Sequence, residues 1–394
     1  MNDDPVVIVS AKRTPMGGFL GVLTPLAGPS LGSSAIRAAL EAADIDNDSV
    51  EEVTMGCVLP AGLGQAPARQ ASLGAGIPLS ANCTTVNKMC GSGMKAAMLA
   101  HDTLIAGSNR IMVAGGMESM SNAPYLLDRA RGGYRLGHGA VKDHMFLDGL
   151  EDAYEPGKLM GAFAEDTASH YGFTRERQDE FAIASLTRAK SAIDEGRFDD
   201  EVVPVQVVTR REEIEVAHDE QPHKANIDKI PSLKPAFSKN GTVTPANSSS
   251  ISDGAAALVM MRASTAESLG LSPLARVVGH ASHAREPKWF TTAPVGAMQT
   301  LMEQIGWSVK DVDLWEINEA FAVVTLAAID QLKLDHQQVN VNGGACALGH
   351  PIGASGARIV TTLLHALKQR GERRGIASLC IGGGEATAMA FELV

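Results

Sequence analysis

Two regular patterns of hydrophobic and polar positions alternate along the first third of the chain. Residues 6–10, VVIVS, form a short run that is almost wholly apolar, which predicts a buried strand. Residues 33–45 and 93–107 have the spacing of helices, and the second is apolar nearly all round, so we expect it to be buried. Residues 50–60 and 110–120 are predicted as strands that end in loops. This order is typical of an α/β fold.

The same order of elements returns near the C-terminus. The pattern predicts a helix at 296–306, a strand leading into a loop at 312–322, a helix at 353–371, and two strands around a glycine loop within 375–394. In both parts a Ser-Gly pair opens a long helix and a Gly-Gly pair follows the next strand. We interpret this agreement as a duplicated β-α-β-α-β unit, although any two α/β segments share some of these features.

Residues 122–250 differ in character from the sequence on either side. They are rich in loops, proline and charged residues, with one clear helix predicted at 174–196. We expect an inserted loop domain that lies over the core, because such insertions often cover substrates. The predicted organisation is an N-terminal half at 1–121 and 251–273, the loop domain at 122–250, and a C-terminal half at 274–394.

Composition and charge narrow the class of protein. A chain of 394 residues is too long for one ordinary core, and a formal net charge of −11 argues against nucleic acid as the main partner. Five cysteines without zinc-binding spacing predict reduced thiols in a cytoplasmic protein. No signal peptide is recognisable near the start, and no apolar run reaches the roughly 18 residues of a membrane span.

The segment TTVNKMCGSGMKAAMLA, residues 84–100, places Cys90 at the start of a helix predicted to be buried. Free N–H groups and the helix dipole stabilise a thiolate at such a position. We expect Gly91 and Gly93 to leave room for a substrate and to permit a sharp turn from strand to helix. Cys90 is therefore a candidate nucleophile, and the alternative is an inert buried cysteine, the commoner fate of a free thiol.

His350 lies in a loop of small residues, GGACALGHPIGASGAR, at 343–358. An imidazole is the natural base for a thiol. Gly349 and Pro351 offer little side chain to bury the ring, so we expect it to be exposed in a cleft. A purely structural histidine is the alternative.

Two further motifs carry groups suited to acyl chemistry. Cys380 ends a predicted strand and is followed by three glycines, the first of which is Gly382. Backbone N–H groups in such a loop can face an oxyanion, whereas the lysine of a phosphate-binding loop is absent. Asn318, in NEAFA, is able to hold a water or an oxyanion, or simply to cap a helix.

With NKMCGSG, NEAFA, GHPIGASGAR and CIGGGEA present in this order, the chain resembles the thiolases, and among them most closely the acetyl-CoA C-acetyltransferases. The resemblance runs the whole length, and four separate motifs make it specific. It implies a five-layer αβαβα body built from two duplicated halves, with a loop domain inserted in the first. It also implies a homotetramer or homodimer, coenzyme A thioesters as substrates, a place in fatty acid metabolism, and no metal or redox cofactor.

The resemblance assigns a role to each motif residue. Cys90 would be the acylated nucleophile, His350 the base that activates it, and Cys380 the group that moves a proton at the acyl α-carbon. Asn318 would position a water that completes one oxyanion hole with His350, and the N–H groups of Cys90 and Gly382 would form the other. The residues implied to contact the substrate or coenzyme A are Leu159, Met160, His223, Ala236, Phe237, Ser249, Ala320 and Phe321.

Three departures from the family pattern bear on acyl-chain preference and coenzyme A affinity. Leu159 stands where many biosynthetic members have a histidine. His223 or Lys224 stands near the place of a loop-domain arginine, and Ser250 and Ser252 stand where glycine and asparagine are usual.

The favoured function is the reversible condensation of two acetyl-CoA to acetoacetyl-CoA and CoA. A degradative 3-ketoacyl-CoA thiolase that accepts a broader range of chain lengths is the near alternative, which Leu159 keeps open.

A decarboxylating condensing enzyme would use two histidines with the cysteine, so Cys380 argues against it. A coenzyme A ester-binding protein with a relic site is disfavoured because all four chemical positions are filled. A papain-like hydrolase is disfavoured by the second thiol.

Overall fold

The computed structural model describes residues 4–210 and 212–394. The helices are α1 Gly28–Ala43, α2 Pro67–Gly74, α3 Ser92–Ala106, α4 Met160–Tyr171, α5 Arg175–Asp194, α6 Glu220–Lys224, α7 Ala263–Ser268, α8 Ala293–Ile305, α9 Ala322–Leu332, α10 Ala345–Leu348 and α11 Ser355–Arg370. The strands are β1 Val6–Arg13, β2 Gly17–Gly18, β3 Glu52–Gly56, β4 Asn82–Val86, β5 Ile111–Ser119, β6 Tyr125–Leu126, β7 Lys142–Asp143, β8 Val205–Val208, β9 Glu213–Val216, β10 Ser252–Arg262, β11 Ala275–Ala284, β12 Leu314–Ile317, β13 Arg374–Ile381 and β14 Glu385–Leu393.

The large sheet consists of two runs of strands with the same topology. One run has the order β1-β10-β5-β3-β4 and the other the order β11-β14-β13-β12, and they meet through only two residue pairs between β1 and β11. Each run has two antiparallel pairings followed by a parallel one. A parallel bridge between Trp315 and Val339 takes the place of a fifth strand in the second run. The topology therefore confirms the predicted duplication.

Hydrophobic contacts arrange the two halves in five layers. The outer face of the first run packs on α1 and α2, α3 and α11 lie together between the two runs, and α8 and α9 cover the second run. Within β5, Ile111 and Val113 enter the outer cluster while Met112 and Ala114 enter the central one. Because successive side chains of a strand point to opposite faces, burial of both faces explains the continuous apolar runs in the sequence.

Helices α3, α8 and α11 end in the same way. Each is followed by a glycine in the left-handed conformation: Gly107 has φ 74°, Gly306 has φ 70° and Gly371 has φ 69°. Glycine adopts this conformation without steric cost, so it ends a helix cleanly and lets the chain turn into the next strand. A glycine therefore ends the helix in the same way in both halves of the molecule.

The two halves differ most in the connection between their matching strands. In the second half β13 and β14 are joined by three residues, 382–384, whereas the chain between β5 and β10 carries β6 to β9 and α4 to α6. Phe163 of α4 and Phe181 of α5 pack in the same cluster as Leu326 of α9. The insertion therefore lies on the helices of the second half, and its predicted boundaries at 122 and 250 remain predictions.

Among the described helices, none has both the length and the apolar character that crossing a membrane requires.

Candidate active site

Cys90 lies in a tight turn between β4 and α3. Met89 has φ +48°, a conformation that non-glycine residues seldom adopt and that is found at functional sites. Ser92, the first residue of α3, closes the turn: its hydroxyl accepts from Lys88 N at 2.8 Å and donates to the Met89 carbonyl at 2.6 Å. The turn thus fixes Cys90, which is partly exposed as a residue, at the entrance to the buried helix.

The glycines beside Cys90 allow neighbouring protein atoms to pack closely. The expectation that they leave room for a substrate is therefore wrong. A Cβ on Gly91 would collide with Ile381 Cδ1. A Cβ on Gly93 would lie 2.8 Å from the backbone nitrogen of Ala357. Glycine is required here because α3 approaches α11 and the strand of the second cysteine closely.

The two candidate thiols come together from opposite halves of the molecule. The backbone N–H groups of Gly382 and of Cys90 itself lie close enough to the Cys90 sulfur to lower its pKa. Cys380, at the end of β13, lies near enough for a charge on Cys90 to raise its pKa. The thiol of Cys380 is buried, and burial is the main cause that holds its pKa well above the ordinary value.

Cys90 is a neutral thiol in the free protein. Removal of the sulfur from water raises the pKa of Cys90 to about 11, although the N–H groups of Gly382 and Cys90 act in the opposite direction. The Glu118 carboxylate raises this pKa further. The sequence alone led us to expect a stable thiolate at the start of the helix, and this expectation is wrong. Attack by this sulfur would require a base to take its proton.

His350 is buried, with 6% of its surface exposed, so the expectation of an exposed ring is wrong. Its Nδ1 lies 2.5 Å from Ser355 Oγ, and that hydroxyl donates to the Pro351 carbonyl at 2.9 Å. Nδ1 therefore carries the proton and Nε2 has a free lone pair. Burial and the nearby Arg358 lower the pKa of His350 to about 3, so the ring is neutral and able to accept a proton.

Ser252 also holds the His350 loop, so a residue that the sequence marked only as a departure has a structural role here. The His350 N–H donates to the Ser252 hydroxyl at 3.2 Å and to the Ser250 carbonyl at 3.1 Å. The two serine hydroxyls are 3.1 Å apart.

Asn318 links the imidazole to the strand that carries the second thiol. Its N–H donates to the Ser378 carbonyl at 3.0 Å, which places it beside the strand of Cys380, and its Nδ2 is 3.5 Å from His350 Nε2. It does not cap a helix, because Phe321 precedes α9. Among the described residues, its buried Oδ1 has no hydrogen-bond partner. That acceptor is available to a bound water or substrate.

Glu118 is a residue of the site that the sequence did not reveal. Its buried carboxylate accepts from the backbone N–H groups of Val58, Leu59 and Gly353, at 2.9, 3.1 and 2.9 Å. Burial raises the pKa of Glu118 to about 7. It ties a loop of the first half to the loop that carries His350, and the segment VAGGMES gave no sign of this beyond its acid.

Three of the eight residues expected to contact the substrate or coenzyme A, namely Leu159, Ala236 and Phe237, line one cleft. This cleft has a volume of about 550 Å³ and is lined by Glu155, Pro156, Gly157, Lys158, Leu159, Ala162, Ala236 and Phe237. Phe237 packs edge-to-face on Phe321 with ring centroids 6.1 Å apart. Met160 reaches the reaction centre, because its sulfur lies 3.3 Å from where a Cβ on Gly382 would be. The cleft thus lies on the insertion, and Met160, the neighbour of its lining residue Leu159, is close to Gly382.

Ser249 and Ala320 meet next to this channel, whereas His223 lies elsewhere. The Ser249 N–H and hydroxyl both donate to the Ala320 carbonyl, at 3.0 and 3.1 Å. The half-exposed His223 is 3.4 Å from Asp194 and does not line the cleft. Its contact with coenzyme A remains a prediction, and Lys158 is the basic residue of the cleft lining.

Two family models match nearly all of the chain. The thiolase N-terminal domain matches residues 6–264, and the thiolase C-terminal domain matches residues 271–393. The chain belongs to the thiolase family. This thiolase is similar to the acetyl-CoA acetyltransferase of Escherichia coli, with 52% identity over 389 residues that cover 98% of both chains. It is 51% identical to the human mitochondrial acetyl-CoA acetyltransferase over 390 residues, which are 98% of this chain and 90% of that protein.

Solved structures confirm the thiolase fold. The Acat5 thiolase from Ascaris suum, in complex with coenzyme A, has a TM-score of 0.94 and 44% identity, and the match covers 99% of this chain and 100% of that one. The Bacillus anthracis acetyl-CoA acetyltransferase has a TM-score of 0.97 and 41% identity, with 99% of each chain covered.

Proposed function

We propose that this thiolase is an acetyl-CoA acetyltransferase, which condenses two acetyl-CoA reversibly to acetoacetyl-CoA and CoA. Relatives that carry this name share about half of its residues over nearly the whole chain. The observation that carries the proposal is the meeting of Cys90 and Cys380 beside the Gly382 N–H group. Two thiols at one point suit a reaction that needs both an acyl carrier and a proton carrier.

The first half-reaction forms an acetyl thioester on Cys90. His350 Nε2 takes the thiol proton as the sulfur attacks the carbonyl carbon of acetyl-CoA. The oxyanion accepts hydrogen bonds from the N–H groups of Cys90 and Gly382, which are fixed in place before the reaction. The carbon–sulfur bond to CoA then breaks, and the CoA thiolate takes a proton from Cys380. This step leaves acetyl-Cys90, a protonated His350 and a Cys380 thiolate.

The second half-reaction returns every group to its starting state. The Cys380 thiolate removes a proton from the α-carbon of a second acetyl-CoA, a weak acid that requires a base of high pKa. The protonated His350, with a water held by Asn318, donates a hydrogen bond to the enolate oxygen and keeps its proton. The enolate carbon attacks acetyl-Cys90, the bond to sulfur breaks, and the Cys90 thiolate regains its proton from His350.

Acetylation of the purified enzyme tests the assignment of Cys90. Incubation with acetyl-CoA should add the mass of one acetyl group per wild-type chain and none to Cys90→Ala, as measured by intact-protein mass spectrometry. Cys83→Ala is the matched control, because Cys83 is a free cysteine on β4 outside the site. Acetylation of Cys90→Ala at the wild-type level would contradict the proposal.

A degradative 3-ketoacyl-CoA thiolase of broader range is the second candidate, favoured by the apolar Leu159 in the cleft. Steady-state thiolysis of 3-ketoacyl-CoAs with four to ten carbons separates the two. An acetyl-CoA acetyltransferase should show its highest kcat/KM for the four-carbon substrate. Equal or higher values for the longer chains would favour the second candidate.

The remaining parts of the proposal concern the setting of the enzyme. We propose that it acts on acyl-CoA thioesters in the cytoplasm, in fatty acid metabolism, as a homotetramer or homodimer, and without a metal or redox cofactor. The imidazole and the two thiols supply each proton transfer of the mechanism above. Full activity after dialysis against a chelator, and the mass from analytical ultracentrifugation, test the last two points.

A further inference from the structure

Two histidines and an aspartate meet at a place that the proposed reaction does not use. His101 and Asp102 lie on α3, and His280 lies on β11, so the group joins the two halves of the molecule. One ligand atom from each residue lies within 4.8 Å of the other two. Along α3, His101 is nine residues beyond Ser92, roughly 14 Å at 1.5 Å per residue, which separates the group from the turn of Cys90.

Two of the three separations within the group are close to those of a metal site, and the third is at most 4.8 Å. His280 Nε2 is 2.9 Å and His101 Nδ1 is 3.1 Å from the same oxygen, Asp102 Oδ1. Ligands around a tetrahedral zinc ion, with bonds of about 2.0–2.1 Å, are about 3.3 Å apart. Small rotations of the side chains would therefore be enough to admit an ion between them.

Solvent can reach the group, and its surroundings hold the two rings. The side chains of His101 and His280 are 18% and 17% exposed, whereas that of Asp102 is 56% exposed. The rings pack edge-to-face with centroids 5.0 Å apart. Arg262 lies within electrostatic range of His101, but its guanidinium pairs with Asp4 at 3.1 Å, which offsets the positive charge.

We propose that His101, Asp102 and His280 bind a divalent transition-metal ion, zinc in the first instance, that links α3 to β11. Two imidazoles and one carboxylate suit zinc, cobalt or nickel, while calcium and magnesium prefer a shell of oxygen ligands. Water completes the coordination on the exposed side of Asp102. The site stabilises the association of the two halves and takes no part in acyl transfer, so it stands or falls independently of the proposed function.

Cobalt titration of the full-length, untagged protein tests the site, because a histidine tag would bind the same ions. Wild type should bind one Co²⁺ per chain with visible d–d bands and without the intense near-ultraviolet band of thiolate ligation. Excess Zn²⁺ should displace it. His280→Gln and Asp102→Asn should each weaken binding on the order of 100-fold, since even loss of an outer contact to a metal ligand costs 10- to 100-fold.

His283→Gln is the matched control, because His283 lies on the same strand outside the group. Zinc should raise the thermal midpoint of the wild type and of this control, but not that of the two ligand variants. Equal titrations for wild type and His280→Gln, or a thiolate band, would overturn the proposal. The group would then be a hydrogen-bonded link alone. Circular dichroism checks that both ligand variants are folded.

Discussion

Cys380 and Glu118 occupy matching positions in the two halves. Ile317, the last residue of β12, pairs with Ser378, which is two residues before Cys380. In the same way Gly56, the last residue of β3, pairs with Gly116, which is two residues before Glu118. Both are buried acids with a raised pKa. Cys380 stands beside Cys90, whereas Glu118 binds three backbone N–H groups. The duplication thus supplies equivalent positions: in the proposed mechanism the second half uses its acid for proton transfer, while the acid of the first half holds loops.

The central helices show the same division. Ser92 opens α3 and closes the turn that bears Cys90, and Ser355 opens α11 and orients the His350 ring. Because α3 and α11 lie side by side in the middle layer, both serines face the same reaction centre. One pair of matching hydroxyls therefore positions the proposed nucleophile in the first half and the proposed base in the second.

Replacing the acid of the second half should have the largest effect. Cys380→Ala removes the proton carrier, so the condensation rate should fall on the order of 10²- to 10⁴-fold, while Cys90 still takes up an acetyl group. Steady-state condensation and intact-protein mass measure the two properties, with Cys83→Ala as the control. Condensation at the wild-type rate would remove the functional difference between the matching acids.

Replacing the acid of the first half should change how stability depends on pH. Burial raises the pKa of Glu118 from 4.5 to about 7, so the folded wild type keeps a proton that the unfolded chain loses between these values. Its free energy of unfolding should fall by roughly 3 kcal/mol as pH rises through this range, at about 1.4 kcal/mol per pKa unit. Glu118→Gln should lack this component, as measured by urea unfolding at pH 4.5, 6 and 8.

The control for this experiment is Glu52→Gln, on the neighbouring strand β3 and partly exposed. It should retain the pH dependence of the wild type. If Glu118→Gln does so too, the carboxylate of Glu118 is not the group that titrates.

The two helix-opening serines should give different phenotypes. Ser355→Ala frees the His350 ring, so acetylation of Cys90 should slow by about 5- to 150-fold, equivalent to the 1–3 kcal/mol of a buried hydrogen bond. Ser92→Ala leaves the Lys88 N–H without its acceptor, so it should lower the free energy of unfolding by about 1–3 kcal/mol. Single-turnover acetylation and urea unfolding of both variants provide the comparison, and identical profiles would contradict the division of roles.

Breaking the ion pair between Lys88 and Glu385 should have the smallest effect on stability and activity, although the pair joins the two halves. Its side chains are 24% and 40% exposed, and solvent-exposed pairs contribute at most about 1 kcal/mol. Lys88→Met should therefore change the free energy of unfolding by no more than this and leave kcat within twofold. A tenfold loss of kcat would show that Lys88 acts on the substrate.

The sequence alone was sufficient where both faces of an element are buried. The apolar runs located β1, β5 and β13, and α3 and α11 lie within a few residues of their predicted bounds. The predicted strand leading into a loop at 312–322 is confirmed as Leu314–Ile317 and the residues after it, but α9, which begins at Ala322, was not predicted. A short buried strand and a buried helix are both continuously apolar, so periodicity cannot place the boundary between them. The polar strand β4 has no such pattern, and pairing with β3 alone defines it.

The sequence also contained the four motifs, and with them the family and the residues of the candidate site. Tertiary structure decided their environment: it buried His350 and raised the pKa of Cys90. It packed the two halves so closely at Gly91 and Gly93 that no side chain fits there. It also brought Glu118 to the loops of the site and His280 to His101. The reason is physical, since burial, hydrogen-bond partners and pKa depend on neighbours distant in the chain, whereas periodicity and motifs are local properties of the sequence.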